Sequence, residues 1–323
     1  MDFVSEEPPK DEWTAISIQH LTEKELQERG REVIERIKKQ ISNDPELSRR
    51  LQNNFEAAKR LVESLYLIHA TNKDAARRIA SGGRVVPLSE GLSQTSSSFQ
   101  YDHQIGLDTC VFFAYGFPDL QYGTRFVLVN PNVIRDPRCI VSLIDFSHQL
   151  EQPLSSKGQE YKYTKGSIKF TQTEGQLPAD KKDAFEAEAK VYLDNLLLGQ
   201  HYQELLTLLL AVQEEVPPSI EMIGALCDSL PPAFSCNKLE ILDLTQHSPK
   251  DLARALLHAE IKLRRTANPE EIIAVYFVEG EETPIDPVVP IKTYPNLYSV
   301  GQAEKIRILS EVLYPQIDQA APT

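Results

Sequence analysis

The chain lacks the features that would tie it to a membrane, a metal ion or a nucleic-acid backbone. No apolar run approaches the roughly 18–20 residues that a bilayer-spanning helix needs. The nearest, Leu205–Val212, is flanked by Glu204 and by Glu214-Glu215. The start, Met1-Asp2-Phe3-Val4-Ser5-Glu6-Glu7, carries neither a basic stretch nor an apolar core, so no secretory signal is expected there. Cysteine is scarce. Cys110, Cys139, Cys227 and Cys236 lack the Cys-x-x-Cys spacing of a zinc site, and Cys227 with Cys236 would pair only in an oxidising setting. Free thiols in a reducing, cytoplasmic compartment are the default expectation. Positive charge is short as well: 34 Lys and Arg stand against 47 Asp and Glu, a formal charge of −13. That argues against broad contact with a phosphate backbone, so nucleic acid is not an expected partner. One candidate basic patch, Lys262, Arg264 and Arg265, is expected to be a solvated strand face.

Several catalytic signatures are missing too. There is no G-x-S-x-G elbow, no P-loop, no G-x-G-x-x-G and no H-E-x-x-H. Asp108, Asp119, Asp243 and Asp251 show no metal-ligand spacing, so no metal is expected.

What is present is an ordinary globular composition, 41% hydrophobic and 25% charged over 323 residues, enough for one large domain or two modest ones. Four segments follow from composition and periodicity. Residues 1–64 form an N-terminal helical region behind a Pro- and acid-rich start. Thr22-Glu23-Lys24-Glu25 reads as a capping box, Leu26, Val33, Ile34 and Ile37 recur at helical spacing, and a second helix follows Asn43-Asp44-Pro45. Residues 65–148 carry strand-like runs at 65–69, 110–114, 125–129 and near 140–144. Residues 149–247 form a mostly helical insertion: a polar stretch with Tyr161 and Tyr163, then a helix over 181–213. Residues 248–323 return to strands, with Ser248 as N-cap and Pro249 at the first helical position, a strand at Glu260, another over Ile272–Phe277, and a terminal helix over about 301–313.

One histidine ends a short apolar strand, Leu65-Tyr66-Leu67-Ile68-His69-Ala70-Thr71-Asn72, and a helix and Gly82-Gly83 follow. Far downstream come His258-Ala259-Glu260-Ile261-Lys262-Leu263, a link at Asn268-Pro269, and Ile272-Ile273-Ala274-Val275-Tyr276-Phe277. Between them lie Cys110-Val111-Phe112-Phe113-Ala114, Tyr115 and Tyr122-Gly123. In this order the motifs resemble the ADP-ribosyltransferase superfamily, the diphtheria-toxin-like and poly-ADP-ribose-polymerase-like fold, over roughly 65–130 and 250–280. The resemblance implies an α+β fold: a split antiparallel β-sheet core with N-terminal helices and a helical insertion. It implies NAD as co-substrate, and a bacterial toxin or effector that modifies a protein acceptor, delivered into a host cell without a conventional signal peptide.

Residue by residue, the resemblance implies that Glu260 is the catalytic carboxylate. When the nicotinamide bond of NAD breaks, positive charge develops on the ribose, and a fixed carboxylate stabilises it and orients the sugar. His69 would bind the adenosine-side ribose, and the backbone of Ala70 the nicotinamide amide. The family more often has glycine at the Ala70 position. Thr71 would add a hydroxyl or cap the following helix. Tyr122 would stack on nicotinamide, with Tyr115 as the alternative, and His258 would position the acceptor. Glu186-Ala187-Glu188 resembles the Glu-x-Glu pair of toxin transferases, but its helical periodicity makes Glu186 and Glu188 helix-surface charges. Ser96, in Ser93-Gln94-Thr95-Ser96-Ser97-Ser98, resembles the Ser-Thr-Ser element of arginine-specific toxins, although the arginine of that class is missing from the first strand. Two other readings stand beside this one: a non-catalytic interaction scaffold on the same core, and an RNA 2′-phosphotransferase, which the lack of basic clusters disfavours.

Overall fold

The computed structural model describes residues 17–90, 102–103, 105–118, 123–144, 179–214, 218–228 and 238–315. Local signals set its first elements. Helix α1 (Glu23–Asn43) opens with a complete capping box: Thr22 Oγ1 accepts from the Glu25 amide at 3.2 Å, and the Glu25 carboxylate accepts from the Thr22 amide at 2.9 Å. Two amides that a helix start leaves without partners are thereby satisfied. Leu26, Val33, Ile34, Ile37 and Ile41 share one buried side. Asp44 caps α2 (Pro45–Ser64), whose first residue is the proline suited to an initial turn.

Strands β1 (Leu67–Thr71), β2 (Val111–Tyr115), β3 (Arg125–Val129), β4 (Cys139–Ser142), β5 (Leu197–Leu198), β6 (Glu260–Leu263), β7 (Ile272–Val278) and β8 (Ile291–Tyr294) build one sheet in the order β5-β4-β6-β2-β1-β3-β7-β8. Every neighbouring pair is antiparallel except β7 and β8, so the sheet is mixed, where the sequence predicted an antiparallel one. The central strand β1 pairs with β3 along its full length, from Leu67↔Val129 to Thr71↔Arg125. With β2 it makes only two pairs, Leu67↔Tyr115 and Ile68↔Ala114. Past these the two strands part, and β2 continues as the partner of β6.

Six more helices surround the sheet among the described residues: α3 (Lys73–Gly82), α4 (Ala179–Asp194), α5 (Gly199–Ala211), α6 (Ile220–Asp228), α7 (Pro249–Leu257) and α8 (Gln302–Leu313). Helix α5 is buried nearly all round, because α1, α2, α7 and β4 all pack on it. The main core takes Val33 and Val62 from the N-terminal helices, Leu67 and Val127 from the sheet, Leu205 and Leu209 from α5, and Leu256 and Leu313 from the C-terminal segment. All four sequence segments thus feed one core. A second, smaller core lies under α4, where Phe185, Ala189 and Tyr192 meet Ile140, Leu198 and Cys110.

The helix expected over 181–213 is two helices, separated by β5, which pairs with β4 through Ile140↔Leu198 and Val141↔Leu197. A short apolar run such as Leu196-Leu197-Leu198 has no periodicity to tell strand from helix. Gly199 permits the junction: a Cβ there would lie 2.1 Å from the Ile134 carbonyl oxygen. The polar stretch with Tyr161 and Tyr163, and the Pro-rich start, lie outside the described residues.

Candidate functional site

The parting of β1 and β2 creates the candidate site. The Gly116 amide donates to the Tyr66 carbonyl at 2.9 Å, so residues 66, 68 and 70 turn their backbone groups toward β2. The ladder stops after Ile68↔Ala114. One further rung would join Ala70 to Phe112; instead, the Phe112 carbonyl accepts from Nδ1 of His69 at 2.9 Å. Among the described residues no strand pairs with the N–H and C=O of Ala70 on this side, and Ala70 is half-buried, so these groups are open to a partner, whether water or ligand.

His69 is half-buried, and its ring meets the Phe113 ring edge-on, with centroids 6.1 Å apart. Burial holds its pKa below the ordinary histidine value, partly offset by the bond to the Phe112 carbonyl. Because a carbonyl only accepts, Nδ1 carries the proton of the neutral ring, and Nε2 is left as an acceptor. Nε2 has no hydrogen-bond partner among the described residues. Thr71 ends β1 and is buried, but the cap of α3 is Asn72, whose Oδ1 accepts from the Ala75 amide at 2.9 Å. The capping role considered for Thr71 is therefore Asn72's. Gly123 lies against Thr71: a Cβ there would sit 2.3 Å from the Thr71 carbonyl oxygen, so only glycine fits. Its neighbour Tyr122 lies outside the described residues, as does Ser96.

Glu260 is the first residue of β6 and pairs across with Ser142 of β4. Continuing the β2–β6 register sets Ala114 on its other side, so Ile68, Ala114 and Glu260 form one row, about 10 Å from end to end at ordinary strand spacing. The alternation of side chains turns Ala70 and Glu260 to the same face and His69 to the other. His69 and Glu260 flank β2 on its two edges, and no hydrogen bond joins them.

The surroundings of Glu260 were not visible in the sequence. Its carboxylate is in ion-pair contact with the ammonium of Lys262, whose side chain is 0% exposed against 24% for Glu260. Lys262 Nζ also donates to Ser142 Oγ at 2.7 Å and lies 5.4 Å from the ring centroids of both Phe112 and Tyr192. Tyr192, on α4, donates its hydroxyl to the same Ser142 Oγ at 2.9 Å. Burial opposes the charge on Lys262, but the Glu260 carboxylate outweighs it and raises the ammonium's pKa well above the usual lysine range. Lys262 is thus no solvated strand face. Arg265 is not free either: it is paired with Asp136 at 2.8 Å and Glu271 at 2.6 Å, tying the turn after β6 to the turn before β4. The one periodicity cue to Lys262 was its place two residues after Glu260, on the same face of a strand with apolar neighbours.

The remaining candidates fall elsewhere. Tyr115 is fully buried; its hydroxyl donates to the Val62 carbonyl at 2.6 Å and accepts from Gln203 Nε2 at 2.8 Å, and its ring meets Tyr202 edge-on. It has no face left for nicotinamide. Glu186 and Glu188 sit within helix α4, not at the head of a strand. His258 is the C-cap residue of α7, its amide donating to the Arg254 carbonyl at 3.1 Å, two residues before Glu260. A shallow groove of 280 Å³, lined by Glu23, Leu26, Pro137, Arg138 and Arg264, lies at the opposite end of β6 from Glu260. No group of three or more His, Cys, Asp or Glu side chains among the described residues is arranged to hold a metal ion.

Comparison of the chain with protein-family models, with curated proteins and with solved structures found no match in any of the three. The fold and site define an α+β protein whose described residues form one mixed eight-stranded sheet that opens beside its central strand.

Proposed function

We propose that the protein is an NAD-dependent mono-ADP-ribosyltransferase acting on a protein acceptor. The observation that carries this reading is the rung at Ala70 that no described strand fills. A backbone N–H and C=O side by side match the C=O and NH₂ of the nicotinamide carboxamide, and the row that starts at Ile68 on that face of the sheet carries the carboxylate of Glu260. With the carboxamide held there, the Glu260 carboxylate is two strands away, on the side where the ribose would lie.

In the proposed reaction the bond between nicotinamide nitrogen and ribose C1′ breaks, and its electron pair leaves with neutral nicotinamide. The ribose becomes oxocarbenium-like, and the negative charge of Glu260 stabilises it through the sugar hydroxyl it accepts from. A nucleophile of the acceptor protein then attacks C1′, and its proton passes to Glu260 or solvent. Neutral His69 offers Nε2 as an acceptor for a hydroxyl of the second ribose. His258, two residues before Glu260, would position the acceptor, as the resemblance implies.

One observation favours a second reading, a non-catalytic interaction scaffold. The ion pair with buried Lys262 gives Glu260 a structural role that needs no substrate. Incubation with labelled NAD and a cell lysate separates the two. Label transfer retained in Glu188→Ala and lost in Glu260→Ala supports the enzyme; absence of both transfer and NAD hydrolysis across lysates from several sources supports the scaffold.

A further inference from the structure

We infer that Lys262 is a positioning residue for the Glu260 carboxylate, braced by Ser142 and by Tyr192 of the helical insertion. This rests on the proposed role of Glu260 as the catalytic carboxylate. Glutamate has three rotatable side-chain bonds, and a half-exposed one at a strand start would sample several orientations. Here one oxygen, Oε2, is held by an ammonium that cannot move. Lys262 Nζ is fixed from three further directions: Ser142 Oγ at 2.7 Å, the Phe112 ring and the Tyr192 ring, each centroid at 5.4 Å. Ser142 is fixed in turn, since its hydroxyl oxygen accepts from Tyr192 at 2.9 Å. The chain of contacts runs from α4 through β4 to β6. Through Tyr192 the insertion therefore takes part in the site itself.

The pairing also sets the charge state of the site. The groups acting on the ammonium are the Glu260 carboxylate, the Tyr192 hydroxyl and the Cys110 thiol. Burial pushes the Cys110 thiol up to about 12 and Tyr192 well up, so both are neutral at physiological pH. Glu260 is thus the anion that balances Lys262. A buried ammonium paired with a carboxylate favours the ionised form of that carboxylate, which is the form that stabilises an oxocarbenium-like ribose.

The test uses the full chain with Lys262→Met and Tyr192→Phe. Methionine fills the lysine channel without charge, and Glu260, partly exposed, can reach water when the ammonium is gone. Phenylalanine keeps the ring over Lys262 and removes the hydroxyl that bonds Ser142 and Lys262. Two readouts apply: the carboxyl ¹³C titration of Glu260, assigned by its loss in Glu260→Gln, and steady-state turnover of NAD. The titration midpoint is expected to rise by about one pH unit or more in Lys262→Met and by less in Tyr192→Phe. Turnover is expected to fall about tenfold or more in Lys262→Met and a few-fold in Tyr192→Phe, with KM for NAD within about twofold. An unchanged Glu260 midpoint in the folded variants overturns the inference, and Tyr192→Phe decides alone if Lys262→Met does not fold. A midpoint that shifts in the variants of a protein whose wild type does not turn over NAD supports the pairing and overturns the transferase reading, so the two fail separately.

Discussion

Nδ1 of His69 donates to the Phe112 carbonyl at 2.9 Å, occupying the acceptor that a continued β1–β2 ladder would give to the Ala70 amide. One imidazole thus keeps the central strand from zipping to its neighbour. The open rung and the tautomer that leaves Nε2 as the acceptor both derive from that single bond, while burial keeps the ring neutral.

The Ala70 amide should therefore exchange with solvent at least about tenfold faster than that of Ile68, which the ladder still protects. Saturating NAD should slow Ala70 and leave Ile68 unchanged. His69→Ala should let the rung close and protect Ala70 without ligand. Hydrogen exchange read at single residues checks all three, and fast exchange at Ala70 in the presence of NAD would remove the gap as the carboxamide position.

Two helical glycines should resist alanine although alanine is the better helix former. A Cβ at Gly30 would lie 2.1 Å from Nδ1 of His201, and one at Gly199 would lie 2.1 Å from the Ile134 carbonyl oxygen. Gly30→Ala and Gly199→Ala should each cost about 1–3 kcal/mol through overpacking, Gly199→Ala more, because it strikes backbone. Gly82, with nothing within 4 Å, is the control. Gly82→Ala should be neutral or stabilising by up to about 1 kcal/mol in denaturant unfolding.

Tyr115→Phe separates core packing from ligand stacking. It removes the hydroxyl that donates to the Val62 carbonyl and accepts from Gln203; the Val62 carbonyl keeps the Leu65 amide, so the buried Gln203 Nε2 is the group that loses its partner, at a cost of about 1–3 kcal/mol. The melting temperature should fall while NAD affinity of the folded variant, measured by calorimetry, stays the same. A large loss of affinity at unchanged stability would return Tyr115 to the site.

Acid should weaken the fold in two steps. Burial holds His69 and His201 below their ordinary value of 6.5, so the unfolded chain takes up their protons first. Stability accordingly falls as pH drops through about 6.5 and recovers toward neutrality. His69→Gln should make this limb shallower, with His201 supplying the remainder. The second step belongs to Asp136, which the Arg138 and Arg265 guanidiniums lower from 3.8 to about 2 against the cost of burial, and to Glu271, lowered chiefly by Arg265. For carboxylates the sign is that stability present above about 4 is lost as pH falls toward 2. With allowance for solvent screening the Asp136 contribution is roughly 1 kcal/mol. Arg265→Gln should flatten this second limb in urea titrations run at several pH values.

The sequence by itself determined the elements whose signals are local. Thr22 with Glu25, Ser248 with Pro249, and the spacing of Leu26, Val33, Ile34 and Ile37 each specify a helix through bonds and faces within a few residues. The apolar runs that became β1, β2, β3, β4 and β7 were legible for the same reason, as was Glu260 at the head of β6. Tertiary structure alone decided what depends on residues far apart in the chain. Leu197 and Leu198 became a strand because Ile140 and Val141 offered an edge. Ile291–Tyr294 became a parallel strand because β7 had a free one. The burial of Lys262 is the sharpest case. A lysine in a strand reads as exposed, since burying an unpaired charge is prohibitive. Only the fold brings Ser142, Tyr192 and Phe112 to the same point as Glu260, and that convergence makes the buried charge tolerable.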